Sequence, residues 1–458
     1  MFQLDFKERK HVYFIGIGGV SMSGLAEVLL SRGFPVSGSD NKESEFTKHL
    51  RDMGACVFIG QQTSHIQSDV DLVVYTAAIH PDNPEYVDMC NRNIPHLSRA
   101  ELLGQLMKNY ALPIAISGTH GKTTTTSMVS EILLAAKKDP TLSIGGVLKT
   151  IGGNIRVGKS DYFVTEACEY TNSFLSFYPK YSIILNVEED HMDFFKDLAD
   201  IRNSFGRFAN LLPEDGALII NGEIPNYKEL TNNLKCPVIT YGFSSEYEYY
   251  ADQITYNEKG HPTFVLHTKD RECTIALQVP GVHNVSNAMA AFALSDVLEI
   301  DSETIIAALG RFGGTDRRFE YKGTIGGVTI IDDYAHHPTE IEATLRAAAN
   351  YPHTTLTVVF QPHTYTRTKA FLKDFAKALS LADKIVLADI YAARETDTLG
   401  ISSKTLQREI QNLGKECMYF PTFDEIENYL LTNSINGDLL ITMGAGDVVK
   451  IGESLLGK

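Results

Sequence analysis

The residues best suited to chemistry are concentrated in one glycine-containing stretch, Gly118-Thr119-His120-Gly121-Lys122-Thr123-Thr124. Four apolar or small residues, 114–117, precede it, and residues 127–136 continue at helical spacing, which predicts the order strand, loop, helix. Such a loop directs backbone N–H groups and the positive end of a helix dipole towards an anion. Lys122 would neutralise the β- and γ-phosphates of a nucleotide, and the Thr123 hydroxyl would ligate Mg²⁺. The stretch therefore predicts a phosphate site, although it is shorter than the usual G-x-x-x-x-G-K-[ST] loop.

Two other predicted strands end in residues of ligand type. Glu166 ends one apolar strand, and strand 181–187 runs into the acidic residues 188–190 and His191. Parallel strands present their ligands at one edge of the sheet, so these side chains are expected near the phosphate loop. Hard cations prefer oxygen ligands, so Thr123 and Glu166 are the favoured ligands for Mg²⁺. His191 is a further candidate ligand only because it follows the end of a neighbouring strand. The run 188–190 is equally compatible with a solvated turn.

Three polar residues, His283, Asn284 and Asn287, interrupt an otherwise apolar helix start. An asparagine amide donates and accepts at once, and an imidazole can stack on a purine, so we expect these residues to bind the adenine. Helix capping by asparagine is the alternative.

The glycine-rich segment 309–315 is predicted to be a linker, and Arg317 and Arg318 follow it. A guanidinium is the preferred clamp for phosphoryl oxygens, so Arg318 is expected to reach back to a γ-phosphate. A surface charge pair is the competing interpretation.

A second glycine turn lies near the N-terminus, between a predicted strand and a predicted helix. Asp40 ends the next strand, where dinucleotide-binding folds place the acid that binds a ribose hydroxyl. A serine replaces the third glycine of G-x-G-x-x-G, so the turn could bind either a nicotinamide dinucleotide or the pyrophosphate of a nucleotide-sugar. The residues predicted to bind this ligand are Gly16, Gly18, Gly19, Ser21, Met22, Ser23 and Asp40.

Composition indicates a globular, acidic protein. The chain has 458 residues, 43% of them hydrophobic, and a net charge of −16. A strongly acidic chain binds nucleic acid or anionic membrane poorly, so we expect a small anionic ligand in a local basic pocket and no nucleic-acid partner. The six cysteines show no metal-binding spacing, and no run reaches the ~20 apolar residues of a membrane helix. These features predict a cytoplasmic protein with reduced thiols.

The alternation of strands and helices predicts an α/β fold with mainly parallel sheets. At about 150 residues per domain the length suggests about three domains, which we place at residues 1–109, 110–314 and 315–458. In the third domain, polar residues again follow predicted strand ends. The candidates there are Asp332, His336, His337 and Arg367.

Taken together, these stretches resemble the Mur ligase family. The resemblance rests on the order and spacing of five motifs: Gly16-Ile17-Gly18-Gly19, Gly118-Thr119-His120-Gly121-Lys122-Thr123-Thr124, His283-Asn284-x-x-Asn287, Asp316-Arg317-Arg318-Phe319 and Asp332-Asp333-Tyr334-Ala335-His336-His337-Pro338. It implies an N-terminal Rossmann-like domain for a UDP-sugar, a central P-loop-type ATPase domain, and a C-terminal Rossmann-like domain for an amino acid. The sequence departs from the family pattern at Ser21 and at Cys168.

The resemblance also implies a reaction. The lactyl carboxylate of UDP-N-acetylmuramate attacks the γ-phosphate of ATP, and the amine of L-alanine then displaces phosphate from the acyl phosphate. Lys122 and Arg318 would stabilise phosphoryl charge, with Asp332 at the ATP.

The candidates for the amino-acid site, where a base of near-neutral pKa is expected, are His336, His337 and Arg367.

Two other functions fit part of the pattern: a sister ligase that joins an intact peptide to the same nucleotide, and a nicotinamide-dependent oxidoreductase. The third domain is expected to close about the glycines 310–314.

Overall fold

The computed structural model describes residues 2–76, 78–393 and 395–458, which fold around three β-sheets. Most strand pairs are parallel, and helices connect them. The fold is therefore α/β, as the alternating pattern predicts.

The first sheet has five parallel strands in the order β3-β2-β1-β4-β5. Its order reverses between β1 and β4, which opens a crevice at the carboxyl ends of these strands. The strands are Val12–Ile15 (β1), Val36–Asp40 (β2), Cys56–Ile59 (β3), Leu72–Tyr75 (β4) and His96–Ser98 (β5), and the helices are Val20–Ser31 (α1), Glu45–Asp52 (α2), Pro84–Asn91 (α3) and Arg99–Met107 (α4).

The second sheet has ten strands in the order β15-β14-β13-β12-β11-β10-β6-β9-β7-β8. Its strands are Leu112–Ser117 (β6), Thr141–Leu148 (β7), Gly153–Arg156 (β8), Tyr162–Ala167 (β9), Tyr181–Ile184 (β10), Ala217–Asn221 (β11), Val238–Gly242 (β12), Tyr249–Tyr256 (β13), Pro262–His267 (β14) and Glu272–Ala276 (β15). Its helices are Lys122–Ala135 (α5), Leu198–Ala209 (α6), Tyr227–Thr231 (α7), Val282–Val297 (α8) and Ser302–Arg311 (α9). Strand β6 pairs in parallel with β9 and β10, which sets three strand ends side by side.

The third sheet has six strands in the order β16-β17-β21-β18-β19-β20, and only β16 pairs antiparallel. Its strands are Glu320–Ile325 (β16), Val328–Asp333 (β17), Leu356–Phe360 (β18), Lys384–Leu387 (β19), Cys417–Tyr419 (β20) and Leu439–Met443 (β21). Its helices are Pro338–Ala348 (α10), Tyr365–Ala370 (α11), Leu372–Leu379 (α12), Ser403–Asn412 (α13), Phe423–Asn433 (α14) and Val449–Leu455 (α15).

The first and second sheets share one hydrophobic core. A single cluster of buried side chains runs from Val12 and Leu29 of the first domain to Phe163 and Phe205 of the second. The third sheet instead has two clusters of its own. Separating the first two domains would expose apolar surface, whereas separating the third would not break a shared core.

The linker is shorter than its glycine content predicts. Helix α9 continues to Arg311, and Thr315 and Asp316 still bond to the central domain, through the Ser127 hydroxyl and the Val147 carbonyl. Arg317 is the first residue held by the third domain. Helix α9 thus includes Gly310, the first glycine of the expected joint at 310–314, and the position of the joint stays a prediction.

No helix among the described residues is both long enough and apolar enough to cross a membrane.

Candidate active site

The phosphate loop lies between β6 and α5, as the sequence predicts. Gly121 stands at the start of α5 with φ +82°, a left-handed conformation that favours glycine. A Cβ at Gly121 would also lie only 2.7 Å from Asn287 Oδ1. The predicted adenine-binding helix therefore packs against the loop, and this glycine is required by both conformation and space.

Lys122 points back into the loop. Its Nζ donates to the carbonyls of Gly118 and Thr119 and, at 3.0 Å, to the Glu169 carboxylate. Burial opposes the lysine charge, but Glu169 more than offsets this and holds the pKa of Lys122 above its usual value. Lys122 is thus a fixed cation at the centre of the loop.

Thr123 and Glu166 form an oxygen pair next to Lys122. The Thr123 hydroxyl donates to Glu166 Oε2 at 3.0 Å, and the Gly145 N–H donates to the other carboxylate oxygen. Burial raises the pKa of Glu166, so a cation placed here would relieve a desolvated carboxylate. A hydroxyl and a carboxylate suit a hard divalent cation such as Mg²⁺.

His191 lies near Glu169, the carboxylate that pairs with Lys122. Its Nε2 is 3.7 Å from Asp190 and 3.9 Å from Glu169, and its ring stacks on Tyr170. Burial lowers the pKa of His191, which keeps the imidazole neutral and able to bind a cation. The structure thus brings His191 to Glu169 rather than to the Thr123 and Glu166 pair.

His120 connects the loop to two other elements. Its backbone N–H donates to Asn186 at 2.7 Å, while its ring lies 3.5 Å from Glu188 and 3.2 Å from Glu340 of the third domain. Burial opposes the imidazolium, but hydrogen bonds to the two carboxylates raise the pKa of His120 to about 9. His120 is therefore a cation that ties the phosphate loop to α10.

A cavity of about 300 Å³ adjoins the loop. Its lining includes the predicted nucleotide residues His120, Gly121, Thr124, His283, Asn284, Asn287 and Arg318. Asn287 donates to Asn284 Oδ1, and Asn284 donates to the Pro280 carbonyl at 2.7 Å. Burial lowers the pKa of His283 to about 4, so its ring is neutral. Arg318 lies in this cavity and stacks over Tyr334.

Asp332 does not line the cavity. Its carboxylate is buried and accepts from Arg317 Nε at 2.9 Å and from the Thr442 hydroxyl at 2.7 Å. The next residue along the strand faces the opposite side, and there Asp333 lines the cavity. Asp332, predicted to lie at the ATP, thus faces away from the cavity, and Asp333 faces into it.

The third domain contacts the acidic segment 188–190 through several polar side chains. Arg367 donates twice to Asp190, at 2.9 and 3.1 Å, and His337 Nε2 bonds to the Glu189 carbonyl at 3.0 Å. Thr339 donates to Glu188 at 2.7 Å. The run is therefore a domain contact rather than a solvated turn.

Burial disfavours the protonated form of both predicted histidine bases. Burial lowers the pKa of His336 to about 3, and it also lowers that of His337. His336 Nδ1 lies 3.0 Å from the Tyr334 carbonyl, and His337 starts helix α10. Desolvation disfavours the protonated imidazoles in this arrangement, and the general base at these positions stays a prediction.

The N-terminal glycine turn folds around Asp40, whose Oδ2 accepts the Gly18 N–H at 2.9 Å. Gly19 and Val20 remain exposed at the start of α1. Two predicted contacts are corrected: Met22 is in the hydrophobic core, and the Ser23 hydroxyl donates to the Val20 carbonyl. Helical periodicity turns these two side chains inwards.

Four site residues were missed by the sequence reasoning. Glu169 pairs with Lys122, Asn186 fixes the loop backbone, Asp333 lines the cavity, and Glu340 meets His120. Asn186 and Asp333 lie within predicted segments, and Glu169 and Glu340 directly follow such segments, but only folding shows which polar residue turns inwards. Cys168, where the sequence departs from the family pattern, is a neutral thiol because burial raises its pKa to about 11.

Comparison with known families accounts for all three domains. Residues 11–111 match the family described as "Mur ligase family, catalytic domain", residues 116–295 the Mur ligase middle domain, and residues 317–446 the Mur ligase glutamate ligase domain. The chain belongs to the Mur ligase family. Mur ligases depend on ATP, which agrees with the loop described above.

Similar proteins match this Mur ligase from end to end. UDP-N-acetylmuramate--L-alanine ligases of Agathobacter rectalis and Lachnospira eligens are 59% and 60% identical, with 100% of each chain covered. The crystal structure of a UDP-N-acetylmuramate-alanine ligase from Thermotoga maritima covers 98% of both chains with a TM-score of 0.81 and 30% identity. A murein peptide ligase from Psychrobacter arcticus also covers 98% of both chains, with a TM-score of 0.70 and 25% identity.

Proposed function

We propose that the protein joins L-alanine to the lactyl carboxylate of UDP-N-acetylmuramate, with ATP converted to ADP and phosphate. The observation that carries this proposal is the full-length likeness to ligases named for these two substrates, at an identity well above that to the murein peptide ligase. A cytoplasmic location is part of the proposal, because the six cysteines are free thiols.

The phosphate loop supports the first half-reaction. Lys122 stands as a fixed cation where the β- and γ-phosphates would lie, so it can neutralise the charge that develops as the phosphoryl group moves to the lactyl carboxylate. The product of this step is an acyl phosphate and ADP. Asn284 and Asn287 would hold the nucleoside part of ATP in the adjoining cavity, and Arg318, which lines the same cavity, would reach the γ-phosphate.

The Thr123 and Glu166 oxygens are the proposed ligands of Mg²⁺, with His191 as a further candidate near Glu169. When bound, the ion would supply charge neutralisation at the phosphate oxygens. The protein's own part is to hold the hydroxyl and the carboxylate 3.0 Å apart before any cation arrives.

The contact between the third domain and segment 188–190 supports the second half-reaction. His336, His363 and Arg367 lie beside this contact, where the amine of L-alanine would attack the acyl phosphate and displace phosphate. Enclosure by the domain would keep water from the acyl phosphate. We assign His336 and Arg367 to positioning the amino acid, since burial leaves His336 a weak base.

Phosphate release tests the proposal. Purified protein is mixed with ATP, Mg²⁺ and UDP-N-acetylmuramate, and L-alanine, glycine, L-serine or the recycled tripeptide is added in turn. We expect rapid release with L-alanine and little with the tripeptide. Preference for the tripeptide would favour the sister ligase, and failure of every acceptor would overturn both assignments.

A further inference from the structure

Two histidines and one glutamate from three separate elements converge beside the nucleotide cavity. His120 belongs to the phosphate loop, Glu188 to the segment after β10, and His337 to the start of α10. Each offers one ligand atom, and the three atoms all lie within 4.8 Å of one another. The proposed Mg²⁺ ligands Thr123 and Glu166 are not among them, so the cluster is a separate set of possible metal ligands.

His120 presents an unpartnered nitrogen to this cluster. Its Nε2 is buried and makes no hydrogen bond of ordinary geometry within the part of the chain that the structure describes. Glu188 Oε2 lies 3.5 Å from this nitrogen. Two ligand atoms that are each about 2.1 Å from a tetrahedral metal ion are about 3.4 Å apart, so this separation suits a shared ion better than a direct hydrogen bond. A buried polar atom without a partner is otherwise costly.

The second nitrogen of each imidazole already has an oxygen partner. His120 Nδ1 lies 3.2 Å from the Glu340 carboxylate, and His337 Nε2 donates to the Glu189 carbonyl at 3.0 Å. The lone pair of neutral His337 is therefore on Nδ1, where it accepts the Thr339 N–H at 3.3 Å, a long contact that a metal ion can replace. Metal-binding histidines almost always donate their other ring N–H to a carboxylate or a carbonyl in this way.

The donor set favours a transition-metal cation over Mg²⁺. Imidazole nitrogens suit Zn²⁺ and similar ions, whereas Mg²⁺ prefers oxygen ligands. Two histidines and a glutamate are also a set that Zn²⁺ takes with its fourth position open. His337 is buried, but Glu188 is partly exposed, so an ion can enter from solvent.

We propose that His120, Glu188 and His337 form a binding site for Zn²⁺ that joins the phosphate loop to the third domain. This inference does not depend on the proposed function. Neighbouring carboxylates raise the pKa of His120, so the ion would replace the proton on its Nε2 and release it to solvent. Because His120 and Glu188 line the nucleotide cavity, the ion would lie at the cavity wall.

Zinc titration of the full chain tests the inference. Cys56→Ser/Cys90→Ser protein is used, since this change removes the two exposed thiols, and excess Mg²⁺ is present to occupy the Thr123 and Glu166 oxygens. Calorimetry is expected to show one Zn²⁺ per chain, and X-ray absorption of the loaded protein should show two imidazole ligands and no sulfur. Absence of binding, loss of binding in excess Mg²⁺, or sulfur ligation would each overturn the inference.

Matched variants in the same background locate the ion. Glu188→Gln removes the charged ligand but keeps an oxygen that can accept the Thr339 hydroxyl, and His120→Gln removes the unpartnered nitrogen. Loss of a mere outer-shell partner costs about 10- to 100-fold in metal affinity, so each substitution should weaken Zn²⁺ binding by at least that factor.

His267→Gln is the control, because His267 pairs with Asp252 at the end of β14, and this variant should bind Zn²⁺ like its parent. Unchanged affinity of folded Glu188→Gln and His120→Gln would place the ion elsewhere and overturn the inference. Phosphate release with L-alanine tests the proposed function separately, so either can fail without the other.

Discussion

Lys122 has the most direct part in the proposed chemistry. Its ammonium is positioned by two loop carbonyls and one carboxylate, so little reorganisation is needed when phosphate arrives. The same contacts stabilise the empty loop, which would otherwise bury an unpaired charge.

Lys122→Ala should abolish most turnover. Removing a single preorganised donor costs on the order of 10²–10³ in rate, and loss of a full charge should cost at least as much. Initial rates of phosphate release would measure the loss of turnover. Lys269 is exposed in the turn after β14, so Lys269→Ala serves as the control. Near-normal turnover in a folded Lys122→Ala protein would contradict the assignment of the loop.

Glu166→Gln should raise the Mg²⁺ concentration required for half-maximal activity. A neutral amide is a weaker ligand for a hard cation than a carboxylate, while its oxygen can still accept the Thr123 hydroxyl. A Mg²⁺ titration of the rate at saturating ATP measures the shift. If the titration curve does not move, Glu166 supports the sheet edge rather than the metal.

At the scale of elements, helix α10 is the part of the third domain that reaches the phosphate loop. Glu340 accepts the backbone N–H groups of His336 and His337, which completes the helix start, and its other oxygen faces His120 at 3.2 Å. Burial opposes its charge, but His336 and His120 hold the pKa of Glu340 well below its usual value. One carboxylate thus joins the capping of α10 to the contact between domains.

Glu340→Gln should lower kcat by about 10- to 100-fold while the helix remains folded. Glutamine can still cap the helix, but it loses the charge that faces His120. Glu342→Gln is the matched control, because Glu342 lies on the same helix and pairs only with exposed Arg346. Thermal midpoints would check stability. Equal kcat values for the two variants would show that the Glu340 charge has no part in assembling the site.

At the scale of the whole molecule, the domains differ in how firmly they are joined. The first two share a hydrophobic cluster, whereas the third meets the central domain through polar contacts such as Arg367 with Asp190. Polar contacts exchange with water at little net cost, so we expect the third domain to be the one that moves. We infer that the described arrangement is the closed form, because the third domain contacts segment 188–190 in it.

ATP together with UDP-N-acetylmuramate should shift the protein from an open or mixed population to this closed form. Solution scattering would record a smaller radius of gyration with both substrates than without them. The Arg367→Gln variant should remain more open than the wild type in the presence of both substrates. Arg346, which pairs with Glu342 on the exposed face of α10, provides the control, and Arg346→Gln should close like the wild type. An identical radius of gyration with and without substrates would show that the third domain does not close when substrates bind.

Features that depend on neighbouring residues can be predicted from the sequence. The phosphate loop, the glycine turn of the first domain and the alternation of strands and helices follow from short-range spacing, because strand, turn and helix geometry is local. The family resemblance added the reaction. These features located Lys122, Thr123 and Glu166 correctly relative to β6 and β9.

Contacts between polar groups that are distant along the chain become visible only in the folded protein. The pairing of His120 with Glu340 and the presence of Asp333 rather than Asp332 in the cavity depend on side-chain direction and on packing between domains. Burial also set the low pKa of His336, against the expectation of a base. Desolvation and long-range contacts exist only once the chain is folded, so spacing along the sequence does not encode them in a readable form.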